Sequence, residues 1–335
     1  MKNNQDHSPK KEMDFSTPYY EDNTRISNSA IGWFLAKGPA YLKGMLDGTE
    51  KGIEGAWLER GSMIHMYIGQ PEIFWENYEL RNITLPPSKQ QKDFCEEYVK
   101  STEIVPDTKM LDAYRKVYNN KKTDTIVLKE CNEILETYKN YVDSLSETST
   151  KKFITGADLY MLQTIEANLL AHKKAYELLY TPGDTFECHN EFRINWAMGK
   201  DGPECKSLLD RIMIDHTNKK IIIVDLKTTA DVYNFKHSVE TYDYYRQVAF
   251  YLLATTWYFK NILDIVEEYD VELYIVAIQS NGNYEVRVFN MLNDQKLAEA
   301  ATKIKKALTD IKWHIDNNKW DHTKEYYENN GVEEL

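Results

Sequence analysis

Glu191, Asp210 and Asp225 each sit inside a short apolar run, and Lys227 follows the last of them by two residues. The runs read ECHNEFRINW, CKSLLDRIMID and, after a polar HTNKK turn, IIIVDLKTT. Ile- and Val-rich segments separated by turn formers are the pattern of adjacent strands. Residues two apart on a strand share a face, so Asp225 and Lys227 project with Ile221 and Ile223. Ile222, Val224 and Leu226 pack behind. Carboxylates brought together from three strands repel one another unless a cation neutralises them. Hard oxygen ligands suit Mg²⁺ or Mn²⁺ rather than zinc. Such an ion lowers the pKa of an attacking water and polarises a phosphate, while a neighbouring lysine orients the water or steadies phosphoryl charge. The pattern points to divalent-metal hydrolysis of a phosphodiester. Taken alone, the Asp-x-Lys triplet also describes a salt bridge at a strand end. Glu187 has the same strand parity as Glu191, so alternation does not separate them. Glu191 lies deeper in the apolar pattern and is favoured.

The surrounding elements must position these groups. RISNSAIGWFLAKGPAYLKGML offers Ser27 as a cap for one short helix and Pro39 as the start of another. A helix around Ile64 and Tyr67 follows, with Pro71 opening the next. It carries His65, a lone histidine whose spacing fits a packed residue at least as well as a ligand. Residues 108–145 read as further helix, and ITGADLYMLQTIEANLLAHKKAYELLY as a strong helix ending near Pro182-Gly183. After the three strands come a linker and a helix to about Tyr258, with Gln247 and Tyr251 on one face. VELYIVAIQ and YEVRVFNM are two more strands, and a final amphipathic helix runs to about Asn317. The division expected is an arm over 1–24, a mainly helical region over 25–152, an α/β core over 153–316 and a polar tail over 317–335.

Composition narrows the partners. The 335 residues carry a net charge of −12, which argues against a broad, non-specific nucleic-acid surface but not against a local basic patch beside a metal cluster. Cys95, Cys131, Cys188 and Cys205 are widely spaced without a CxxC, so neither a disulfide framework nor an iron–sulfur cluster is expected. The start lacks an apolar core for a secretory signal, and no apolar run is long enough for a membrane span. A cytoplasmic setting is the expectation.

CKSLLDRIMID and IIIVDLKTTAD, followed by QVAFY from Gln247 to Tyr251, resemble the PD-(D/E)XK nuclease superfamily, in particular its RecB-like branch with phage RecE-type exonucleases. ISNSAIGWFLAKGPAYLKGML, GSMIHMYIGQPEIFWENY and the helix from Ile154 extend the likeness over roughly residues 25–290, apart from a poorly matched 80–150. The resemblance implies an α/β, restriction-endonuclease-like core with a mixed central sheet flanked by helices, plus a helical N-terminal region. It implies metal ligation by His65, Glu191, Asp210, Asp225 and the backbone carbonyl of Leu226, with Lys227 catalytic. Gln247 and Tyr251 would support the site or the DNA backbone, and Arg193, Arg211 and Arg246 are candidates for phosphate contact. The activity implied is a Mg²⁺-dependent exonuclease, with Mn²⁺ substituting, that resects double-stranded DNA ends to leave single-stranded tails. Implied company is a homo-oligomer, such as a ring, and a single-strand annealing protein. The alternatives are an endonuclease or single-strand nuclease of the same fold, and a non-catalytic end-binding factor. Digestion polarity is not legible.

Overall fold

The computed structural model describes residues 13–146, 150–180 and 186–332. Two compact units account for the chain, one formed by residues 1–70 and 164–335 and the other by 71–163.

Helix α1 (Asn28–Asp47) begins where Ser27 Oγ accepts the Ala30 N–H at 3.2 Å. It breaks at Gly38, whose φ of +81° only glycine adopts freely, and Pro39 restarts it. α2 (Ala56–Gly69) follows. The second unit then runs α3 (Pro71–Asn77), β1 (Tyr78–Leu80), α4 (Lys89–Lys100), α5 (Pro106–Val117), α6 (Asp124–Thr137), α7 (Lys139–Leu145) and β2 (Lys152–Ile154). β1 and β2 pair in parallel, and Phe94, Met110, Tyr114, Val127, Cys131 and Tyr141 form its core. Helix α8 (Gly156–Ala171) is separated from α9 (Lys173–Leu179) by His172, whose ring accepts the Ala175 N–H. The expected Pro182-Gly183 stop lies outside the described residues.

The large unit is built on five strands: β3 (Glu187–Ala197), β4 (Glu204–Asp215), β5 (Lys220–Thr229), β6 (Asp270–Gln279) and β7 (Val286–Asn290). They pair in that order, and only β5 and β6 run parallel. α10 (Phe235–Thr241) and α11 (Tyr244–Asn261) connect β5 to β6, and α12 (Asp294–Asn317) and α13 (Lys324–Glu328) end the chain's described structure. Ile221, Ile223, Leu273 and Ile275 bury one face of the sheet in a core with α1, α11 and α12. Ile222, Val224, Leu226, Val276 and Ile278 are buried on the opposite face. There Gly61 of α2 comes close to Thr228, and Lys174 of α9 lies over the Tyr274 ring. The architecture is a mixed sheet flanked by helices, with a helical N-terminal region, as expected.

Residues 13–24, expected to belong to a loose arm, are tied to the sheet, whereas 1–12 lie outside the described residues. Asp22 is 2 % exposed and pairs with Arg25 and Arg193, each at 2.8 Å. The Lys206 ammonium donates to the backbone oxygens of Tyr19 and Asp22. A buried carboxylate needs such partners, and they fix the segment that carries it. Likewise α13, in the expected polar tail, is capped by Thr323 and rests on α12 through Tyr327 and Trp313.

Candidate active site

β4 pairs with β3 along its length but with β5 only from Arg211 to Asp215. Where that ladder stops, Asp210 Oδ2 accepts the backbone N–H of Leu226 at 2.7 Å. Farther along, the free edge of β4 is taken by Ile26, whose N–H donates to Glu204 O and whose O accepts from Lys206 N. The two central strands therefore diverge at Asp210, and the opening lies where Asp225 and Lys227 emerge from β5.

β3 is distorted at the same level. The flanking pairs Asn190–Arg211 and Phe192–Leu209 set Glu191 opposite Asp210, yet pairing is interrupted at these two residues. Glu191 has φ +48°, a left-handed conformation uncommon for a residue other than glycine. Phe192, Ile194 and Leu209 face the main core, and so do Ile212 and Ile214, so face alternation slips by one at the acidic pair. Strain of this kind concentrates at functional sites. Burial, reinforced by Asp210 and Asp225, pushes the Glu191 carboxyl up to about 7. Glu187 is placed elsewhere: it is exposed and meets His189 and His216 at the strand's far end.

Asp225 is 2 % exposed, and burial, opposed by Lys227 and aided by Asp210, raises it to about 6. The Lys227 ammonium lies against Asp225 Oδ2 and 3.4 Å from the Leu226 carbonyl. Burial lowers the Lys227 pKa, but Asp225 and Asp210 outweigh it and hold it above the ordinary value. From α11, Gln247 Nε2 donates to Asp225 Oδ1 at 3.0 Å and to Tyr251 OH at 2.7 Å. The four-residue spacing of Gln247 and Tyr251 thus lets one amide bridge a phenol and a carboxylate.

His65 reaches the cluster from α2, its Nδ1 3.8 Å from Asp210 Oδ2. Burial and the Lys227 charge push its pKa down to about 4, so the imidazole is neutral at pH 7 with a lone pair available. The C-terminus of α2 is docked by Asn190, whose amide donates to Gly69 O at 2.7 Å. The geometry brings together His65, Glu191, Asp210, Asp225, Lys227, Gln247 and Tyr251.

By type, the oxygen donors in this group are those a hard divalent cation takes. Asp225 Oδ2 is buried and, beyond its ion pair with Lys227, has no aligned hydrogen-bond donor. The neighbours are carboxylate oxygens, a carbonyl and a neutral imidazole. Among the described residues, no three His, Cys, Asp or Glu side chains are gathered closely enough to hold an ion as they stand. Asp210 is engaged by Leu226 and Asp225 by Lys227 and Gln247.

The three arginines each bond to other residues of the fold. Arg193 is tied to Asp22, Asn195 and Thr17 O. Arg211 donates to Asn190 Oδ1 at 2.7 Å, and Arg246 to Asn28 O at 2.7 Å beside Gly32. Guanidinium groups held this way join elements of the fold. One neighbour not singled out from the sequence is Tyr244, whose ring centroid is 5.3 Å from Lys227 Nζ. Its position three residues before Gln247, on the same helical face, was the available signal.

Residues 194–328 match a family described as a PDDEXK-like domain of unknown function (DUF3799). No curated protein matches the chain. Among solved structures, one described as a "Putative exonuclease" from Eubacterium rectale is similar at 12% identity, with 97% of this chain and 96% of that one covered and a TM-score of 0.48. The protein SSO0001 is similar at 12% identity over 53% of this chain and 69% of its own, with a TM-score of 0.24. The matched residues 194–328 carry the end of β3, β4 to β7 and the helices α10 to α13, so the similarity to a PDDEXK-like domain falls on most of the mixed five-stranded sheet and the helices that follow β5 and β7.

Proposed function

We propose that this protein is a divalent-metal-dependent deoxyribonuclease that resects double-stranded DNA from its ends. The observation that carries the reading is that Lys227 pairs with Asp225 and feels the charge of Asp210 where β4 and β5 part, with Glu191 across from Asp210 on β3. His65, Glu191, Asp210, Asp225 and the Leu226 carbonyl would hold Mg²⁺ or Mn²⁺. When bound, the ion supplies positive charge to the phosphate and a water of lowered pKa.

The chain's own groups do the positioning. Leu226 N–H fixes one oxygen of Asp210, and Gln247 fixes one of Asp225. Lys227 presents an ammonium that orients the attacking water and balances charge growing on the phosphoryl oxygen. Neutral His65 adds a ligand without adding repulsion among the acids. The overall acidity is accommodated if a homo-oligomer surrounds the duplex and gathers its basic groups inward.

The test is a linear duplex labelled separately at its 5′ and 3′ ends, incubated with Mg²⁺ or EDTA beside a closed circle and a Lys227→Ala protein. Metal-dependent loss of one label class, absent from the circle and the variant, supports the reading and gives the polarity. Cutting of the circle reassigns the protein as an endonuclease. Binding of ends without cutting makes it an end-binding factor.

A further inference from the structure

A run of near-parallel aromatic rings passes through the buried Phe235 and beside Lys227 to solvent. Phe289 stacks on Phe235 with centroids 4.9 Å apart and planes at 20°. Phe235 leads to Tyr244 at 5.8 Å and 31°, and Tyr244 to Tyr242 at 5.8 Å and 26°. These are offset-stacking separations. Phe235 is 1 % exposed, whereas Tyr242, last in the run, is 62 % exposed. The third ring, Tyr244, is the one beside the Lys227 ammonium.

The turn that carries Tyr242 is tied to neighbouring elements by hydrogen bonds and ion pairs. Tyr242 N–H donates to Ser238 O at 3.0 Å, and the next residue, Asp243, has φ +53°. The Asp243 carboxylate accepts from Lys303 Nζ at 2.7 Å and from Arg246 Nε at 3.3 Å. Arg246 is itself anchored to Asn28 O. A left-handed residue held by two cations keeps an exposed ring in line with a stack that passes through the buried Phe235. A left-handed backbone at a residue other than glycine persists where position matters.

We propose that Tyr242 is a positioning residue that extends this stack onto a nucleobase of the strand whose phosphate lies at Lys227. The inference rests on the deoxyribonuclease reading above. Every base offers a π-face, so the contact is indifferent to sequence. It requires a base whose face is uncovered, as at a frayed or terminal position, and so favours strand ends over duplex interiors.

The experiment pairs a protein change with a DNA change. Affinity is measured in the Lys227→Ala background, which leaves the DNA uncut, for duplexes carrying an abasic nucleotide at successive positions from each end. With Tyr242 present, one end position should bind about tenfold more weakly when abasic than when it carries a base. Tyr242→Ala should bind both forms alike at the weaker level, and Tyr242→Phe should restore the difference. In the Lys227-containing enzyme, Tyr242→Ala should raise KM more than it lowers kcat. Discrimination that survives Tyr242→Ala, or is absent with Tyr242 in place, overturns the proposal while leaving the nuclease reading intact. If Tyr242→Ala does not fold by circular dichroism, the abasic series and Tyr242→Phe decide alone. A folded protein that neither binds nor cuts DNA overturns both.

Discussion

Asp210 Oδ2 accepts the backbone N–H of Leu226 at 2.7 Å, so a side chain takes over where the β4–β5 ladder ends. Asparagine offers the same acceptor without the charge, and alanine leaves a partly buried N–H unpaired. Asp210→Asn is expected to be more stable than Asp210→Ala by about 1 kcal/mol, with both inactive. Urea denaturation and a cleavage assay on the two variants check this. Equal stability would mean the hydrogen bond contributes nothing.

Removing Lys227 leaves Asp225 and Asp210 without their nearest cation. Lys227→Ala is expected to lower cleavage about 10²–10⁴-fold. It should also lower the melting temperature more at pH 8 than at pH 5, because Asp225, already raised to about 6, takes up a proton at the lower pH. Single-turnover rates and melting curves at the two pH values provide the measurement.

Glu191 has a native pKa near 7 against an ordinary 4.5, burial being the main cause. Between those values the native state holds a proton that the unfolded state has released. Its contribution therefore weakens the fold as pH rises through that window. Glu191→Gln should melt higher than the unsubstituted protein above pH 7, by on the order of 1 kcal/mol, and the gap should close near pH 4.5. His65, held down at about 4, works in the opposite sense between 4 and 6.5 and is common to both proteins. Paired melts in EDTA from pH 4 to 8 isolate the Glu191 effect.

Gln247 links Asp225 and Tyr251 through one amide nitrogen. Gln247→Leu should weaken the Mg²⁺ dependence of cleavage roughly 10–100-fold, the usual effect of losing a group that orients a ligand. Tyr251→Phe keeps the ring and the amide–carboxylate contact, so its effect should be smaller. Mg²⁺ titrations of the cleavage rate compare the two, and a larger loss for Tyr251→Phe would reverse their assigned importance.

What could be read from the sequence was what depends on local period. Parity placed Asp225 and Lys227 on the face shared with Ile221 and Ile223, and helical spacing aligned Gln247 with Tyr251. The Ser27 cap and the restart at Pro39 followed from cap and ring chemistry. The left-handed turn at Glu191 did not, because nothing in ECHNEFRINW marks a residue that forgoes strand geometry to face Asp210. Arg193 was equally opaque: its partners Thr17 and Asp22 lie far away in the chain, and only folding brings them beside it. At the last helix, Ile315 fits the apolar spacing but is 43 % exposed, while His314 beside it is fully buried among Phe34, Trp313 and Trp320.

The Ile26–Cys205 bridge bears on the protein's behaviour in concentrated solution. Strands that part to admit ligands leave unpaired donors and acceptors, an invitation to strand exchange with another copy. Ile26 occupies part of that rim from within the same chain, and the Lys206 ammonium pins the preceding residues there. One short stretch of backbone thus covers that edge of β4, and a form trimmed just before α1 would be expected to self-associate through β4.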